Sequence, residues 1–215
     1  MNGHLTKSII ALFAVSVWCS SLTAQSEELT AKTPAVGNTA LFNGRDLSGW
    51  RAEGAARWSV QDGVLVGQQG AKREAGDLLT EQEFDNFDLT VVFRVEWPAN
   101  TGVWYRYRSA DQAFQADILE YKNPVAWTGT LYCTGKMFLA INKDPKLVRR
   151  DDWNTMRIRA HGNHHQIWLN GTEVADVKDD TSDRGRIGFQ IHAGDEFEKM
   201  KLYVKEVTLR PIPAN

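Results

Sequence analysis

In the stretch Phe87-Asp88-Leu89-Thr90-Val91-Val92-Phe93-Arg94-Val95 every odd position is apolar. Successive side chains of a strand point to opposite faces, so this period of two specifies a strand with one buried and one outward side. The same alternation recurs at Met156, Ile158 and Ala160, at Ile167 and Leu169, and at Ile187, Phe189 and Ile191. Near the end it runs through Leu202 and Val204, then resumes out of phase at Val207 and Leu209, which predicts a β-bulge across Lys205-Glu206. Asp62-Gly63 and Asn170-Gly171 separate adjacent runs and tolerate the positive φ that tight hairpin turns require. No window of a dozen residues carries a helical stripe. Many short strands in one chain of this size imply an all-β fold of two packed antiparallel sheets, a β-sandwich or jelly roll.

The first residues follow a different rule. Lys7 precedes an apolar run from Ile9 to Trp18, and Ser20 to Ala24 are small or polar. That order reads as a secretory signal peptide over residues 1–24, with an apolar run too short to span a bilayer. Residues 25–38 read as a flexible polar leader, and residues 39–215 as one domain without a second linker or a clear repeat. The expected location is therefore the periplasm or the exterior. Removing residues 1–24 with their single Lys7 changes the formal charge from −2 to −3. So even a balance offers no footprint for nucleic acid or an anionic membrane surface. Cys133 is the one cysteine left, so no internal disulfide can form and the core must carry the stability.

The landmarks of the chain resemble a known family. Leu41 to Trp50 (LFNGRDLSGW), Trp58 to Leu65 (WSVQDGVL), Asp77 to Thr80 (DLLT) and Asn100 to Val103 with Arg106 follow the order found in the 3-keto-disaccharide hydrolase family. So do Gly129 to Tyr132, Trp153-Asn154, Trp168 to Gly171 and Gly188 to Gly194 (GFQIHAG). The resemblance implies a concanavalin-like jelly roll, export, and cleavage of a disaccharide or glucoside already oxidised to a ketone at carbon 3. A non-catalytic carbohydrate-binding module is the alternative use of such a fold.

Site residues follow from phase, once the family fold is taken to bring the strands together. Gln190 and His192 oppose the apolar phase of their strand. Trp104 and Arg106 oppose Val103, Tyr105 and Tyr107, and Gln115 and Asp117 oppose Phe114, Ala116 and Ile118. A ketone at carbon 3 acidifies the proton on carbon 2, so one base and one stabiliser for the enolate suffice. His192 or Asp117 is expected as base and Arg106 as the stabiliser. Gln190, Gln115, Glu120, Trp104, Trp127 and Tyr132 are the expected sugar contacts. No cofactor is required, although a divalent cation held by His192, Asp117 and Glu120 could replace Arg106. Where the family often has Glu and Asp, this chain has Gln115 and Glu120, which leaves the functional carboxylate open. Asp117 and Glu120 are three apart and point to opposite faces of a regular strand, so the two-carboxylate arrangement of ordinary glycosidases is not expected. His161, His164 and His165 flank the Gly162-Asn163 turn and are expected to be solvated.

Overall fold

The structure is a computed structural model that describes residue 1 and residues 37–213. The expected signal peptide and nearly all of the expected leader lie outside the described residues. Among the described residues no helix is long and apolar enough to cross a membrane.

The strands form two sheets. The first runs, in spatial order, β13 (Thr172–Lys178), β12 (His164–Leu169), β11 (Asn154–His161), β6 (Phe87–Val95), β15 (Lys201–Pro211), β4 (Val64–Gln68) and β3 (Arg57–Gln61), with β1 (Thr39–Ala40) also paired to β15. The second runs β10 (Met137–Asn142), β9 (Val125–Cys133), β8 (Gln112–Lys122), β7 (Asn100–Ser109), β14 (Gly185–Ile191), β5 (Gly76–Phe84) and β2 (Trp50–Gly54). Neighbours within each sheet pair antiparallel. The chain is thus an antiparallel β-sandwich of the concanavalin-like kind.

Alternation builds the core as expected. Phe87, Leu89, Val91 and Phe93 of β6 pack with Met156, Ile158, Ile167, Leu202 and Val204 of their own sheet and with Val103, Phe114, Ala116, Ile118, Ile187, Phe189 and Ile191 of the other. Burying such aliphatic and aromatic side chains is the dominant favourable term, about 1.5–3 kcal/mol for each large one. The register of β15 slips between Val204 and Glu206, which is the bulge that the change of phase predicts. Asp62-Gly63 and Asn170-Gly171 adopt φ of 49° and 80°, and of 49° and 87°.

One histidine departs from expectation. His165 is fully buried, with its ring 4.3 Å from Phe114 and 5.7 Å from Tyr105. Its Nε2 lies 3.0 Å from the Asp179 carbonyl, and burial pushes its pKa down to about 4. The physical reason is that it shares the inward phase of Ile167 and Leu169.

Candidate functional site

The second sheet turns its outer face into a hollow of about 220 Å³. Register explains which side chains meet there. Gln190 of β14 lies opposite Gly102 of β7, and Gly102 lies opposite Asp117 of β8. One step along the strands, Trp104 faces Gln115, Gln115 faces Tyr132, and Tyr132 faces Phe138. Gly102 is the gap between Gln190 and Asp117. A Cβ there would stand 2.6 Å from Cγ of Gln115, so the missing side chain lets Gln115 fold across the floor. Gln115 Nε2 then donates to Gln190 Oε1 at 3.3 Å.

Asp117 sits on this floor and is only 3% exposed. No described residue hydrogen-bonds its carboxyl, and desolvation alone holds its pKa well above the ordinary carboxylate range. Such desolvation favours the protonated form of the carboxyl over the carboxylate.

His192 lines the same hollow from just beyond β14. Its Nδ1 donates to the Ala193 carbonyl at 2.6 Å, its ring meets Phe197 edge-on at 5.8 Å, and its backbone N–H donates to the Asn100 carbonyl at 3.3 Å. With the proton on Nδ1, the lone pair is on Nε2, the form a general base needs. Gln69 supports this corner: its Nε2 donates to the carbonyls of His192 and Gly194 at 2.8 and 2.9 Å.

Trp104 is held from the other side. Its indole N–H donates to Asp77 Oδ1 at 2.8 Å, and burial raises the Asp77 carboxyl above its usual range. Leu79, Tyr107, Ala113 and Tyr132 pack around Trp104 as a small apolar cluster on the outside of the sheet.

Six of the expected site residues therefore come together: Asp117, His192, Gln115, Gln190, Trp104 and Tyr132. Three do not, and Arg106 is the main correction. It has φ of +47°, and the pairing of β7 slips on both of its edges beyond Tyr105. This bulge reverses the phase, so Arg106 follows Tyr105 inward while Tyr107 joins Trp104 outside. The guanidinium is buried and donates to the carbonyls of Asp85, Gly162 and Ser182 and to Asn86 Oδ1. It ties three loops at one end of the sandwich and has no part in the hollow.

Glu120 has the opposite parity to Asp117 and pairs with Arg150 rather than lining the hollow. Trp127 lies opposite Glu120 in register and shares its side. The trio proposed for a cation is therefore not gathered. Among the described residues no group of three or more His, Cys, Asp or Glu is placed to hold a metal ion.

Asn100, Leu119, Tyr121, Met137, Phe138 and the Trp104-anchoring Asp77 escaped sequence reasoning. Leu119 and Tyr121 continue the alternation of Gln115 and Asp117, so that signal was present. Met137 and Phe138 arrive through the β9–β10 pairing, which no local pattern announces. A larger hollow of about 430 Å³ lies around Gln69 and Arg73, but Arg73 there is closed by Asp195 and Glu198.

Comparison with known proteins gives a consistent picture. Residues 37–210 match the model of the 3-keto-alpha-glucoside-1,2-lyase-like domain. A 3-keto-disaccharide hydrolase of Bacteroides thetaiotaomicron is 30% identical over 101 residues, covering 43% of this chain and 35% of that protein. The match thus spans about a third of that relative's length. A candidate glycosyl hydrolase from Parabacteroides distasonis superimposes with a TM-score of 0.62 at 20% identity, over 82% of this chain and 94% of that one. The carbohydrate-binding module CBM66 from Bacillus subtilis superimposes with a TM-score of 0.56 at 15% identity, over 75% and 95%. Likenesses at such identities speak for the fold alone.

Proposed function

The chain belongs to the family of 3-keto-alpha-glucoside-1,2-lyase-like domains, and from that premise we propose that it cleaves the glycosidic bond of glucosides or disaccharides oxidised at carbon 3. The observation that carries this proposal is Asp117, a buried carboxyl with no hydrogen-bond partner among the described residues, in one hollow with a histidine whose Nδ1, not Nε2, is engaged by a described residue.

The chemistry divides between the two. His192 Nε2 takes the proton from carbon 2, which the neighbouring ketone has acidified. The electron pair of that C–H bond forms the carbon 2–carbon 3 double bond of an enolate, and the carbonyl oxygen gains the charge. Asp117, in the protonated form that its desolvation favours, donates a hydrogen bond to that oxygen and takes the stabilising role expected of Arg106. Collapse of the enolate restores the ketone, forms the carbon 1–carbon 2 double bond and expels the aglycone oxygen, which the imidazolium of His192 protonates. Water adding across the enone, its oxygen to carbon 1, completes a net hydrolysis. Gln115, Gln190 and Asn100 supply donors and acceptors for sugar hydroxyls, and Trp104 supplies a ring face. The apolar, Lys-led start of the sequence supports export as the setting of this activity.

The test is turnover of 3-keto-glucosides and 3-keto-trehalose beside their unoxidised parents, in D₂O and with a chelator arm. The expected result is cleavage of the oxidised substrates only, with deuterium appearing at carbon 2. Full turnover by both Asp117→Asn and His192→Ala would falsify the assignment. Binding of unoxidised sugars without cleavage of any substrate would favour a carbohydrate-binding module instead.

A further inference from the structure

The hollow is polarised, and its less polar half leads outward. Gln190 and His192 stand at its β14 side, and Asp117 and Gln115 on β8 complete the polar floor. On the β9–β10 side the wall is Tyr132, Phe138 and Met137, joined by Tyr121 near the C-terminal end of β8. The aromatic rings are arranged as a continuous herringbone. Trp104 meets Tyr132 at 6.3 Å and 63°, Tyr132 meets Phe138 at 6.4 Å and 74°, and Phe138 meets Tyr121 at 5.7 Å and 85°. This wall starts at the buried floor and ends in the open, where Tyr121 is 39% and Met137 50% exposed.

Met137 adds an independent observation. It opens β10 with φ of +64°, a left-handed conformation that glycine or asparagine adopts more readily than methionine. A methionine held there at a cost, half-exposed and lining the same hollow as Phe138 and Tyr121, supplies a polarisable side chain to an occupant.

We infer that the Tyr121–Phe138–Met137 corner is an aglycone subsite that selects glycosides with a flat, apolar aglycone, such as an aryl glucoside, over those whose aglycone is a second sugar. The inference rests on the preceding section in taking the polar half as the sugar site. Of the four described residues of this wall, Tyr121, Tyr132, Met137 and Phe138, the two tyrosines alone carry a polar side-chain group, so the several hydroxyls of a second sugar would lose water with few replacements. An aromatic ring would instead extend the edge-to-face series and cover apolar surface now in contact with water.

The experiment measures binding separately from turnover. Affinities of unoxidised 4-nitrophenyl glucoside, methyl glucoside and trehalose, in matching anomers, are read by titration calorimetry. Wild type should prefer the aryl glucoside about 10-fold, a difference of about 1.4 kcal/mol. Tyr121→Ser and Met137→Asn should each reduce that preference to roughly 2–3-fold, with a far smaller effect on methyl glucoside. Met137→Asn should melt no lower than wild type, since asparagine suits the left-handed position, which separates lost contact from lost folding. A preference that survives both substitutions, equal affinity for trehalose, or no binding of any of the three overturns the inference. Turnover of the 3-keto forms of the same compounds is followed in parallel. No cleavage with the aryl preference intact would sink the proposed chemistry and leave the subsite standing, and cleavage without the preference would do the reverse.

Discussion

Two aspartates on the outer faces of the two sheets both expose little surface, Asp117 lying the deeper, and are electrostatically opposite. Asp88 on β6 is 8% exposed and receives Arg157 Nε and Nη2 at 2.7 and 2.6 Å and Arg210 Nη2 at 3.0 Å. Those hydrogen bonds and charges hold its carboxyl below the ordinary range. Asp117 on β8 has no such neighbours among the described residues, and burial raises it. The rest of each face follows suit. Along that face cations are shared with aromatic rings, Arg157 beside Asp88 lying 4.4 Å from the ring of Trp168 and, at the other end of β6, Arg94 lying 4.6 Å from that of Tyr203. Around Asp117 the neighbours are neutral amides and rings. The comparison shows that low surface exposure alone does not fix the direction in which a carboxyl's pKa moves. What matters is whether the adjoining strands bring a cation to it.

The two acids should therefore respond oppositely to pH. Asp88, with a lowered folded value, stabilises the fold above the ordinary carboxylate pKa, and that contribution is lost as pH falls through the folded value. Asp117, with a raised folded value, costs nothing in acid. Its cost grows as pH rises above the unfolded value and levels off beyond the folded one.

The largest expected effect is on chemistry. Asp117→Leu, which removes the donor without leaving a void, should lower kcat/KM on 3-keto-glucosides by about 10²–10³-fold while the melting temperature at pH 7 holds or rises. A fall in melting temperature would break the contrast between the two faces. Next comes Arg106→Met, which strands the carbonyls of three loops; chemical denaturation should show a loss of about 3 kcal/mol, with kcat/KM per folded molecule unchanged. A loss of catalysis there would return Arg106 to the site. Asp88→Ala should cost about 1–2 kcal/mol at neutral pH, since both arginines are half-exposed and screened. That cost should shrink when the same unfolding curves are recorded at pH 3. Smallest of all, His164→Ala removes an exposed contact with Asp176 and should change stability by less than about 0.5 kcal/mol.

Much of the site was legible because phase alone places Gln115, Asp117, Trp104 and Gln190 opposite the core residues of their strands. The same logic fails at Arg106, where one left-handed residue reverses the alternation. A partial cause lies far away in sequence: a Cβ at Gly185 would stand 2.5 Å from the Arg106 carbonyl carbon, so only glycine lets β14 close against the bulge. The bulge on β15 could be foreseen because apolar residues continue on both sides of it. On β7 the aromatic and charged residues past Tyr105 fit either phase.

By itself, then, the sequence determined the strands, their buried faces, the hairpin turns and the bulge at Lys205-Glu206, because side-chain alternation and turn chemistry act over a few residues. The tertiary structure alone decided that Arg106 would clamp loops, that Asp117 would stand without a cation, and that Met137 and Phe138 would wall the hollow. Those outcomes depend on which strands become neighbours and in what register, and pairing across the sheet is a long-range choice that no short window of residues encodes.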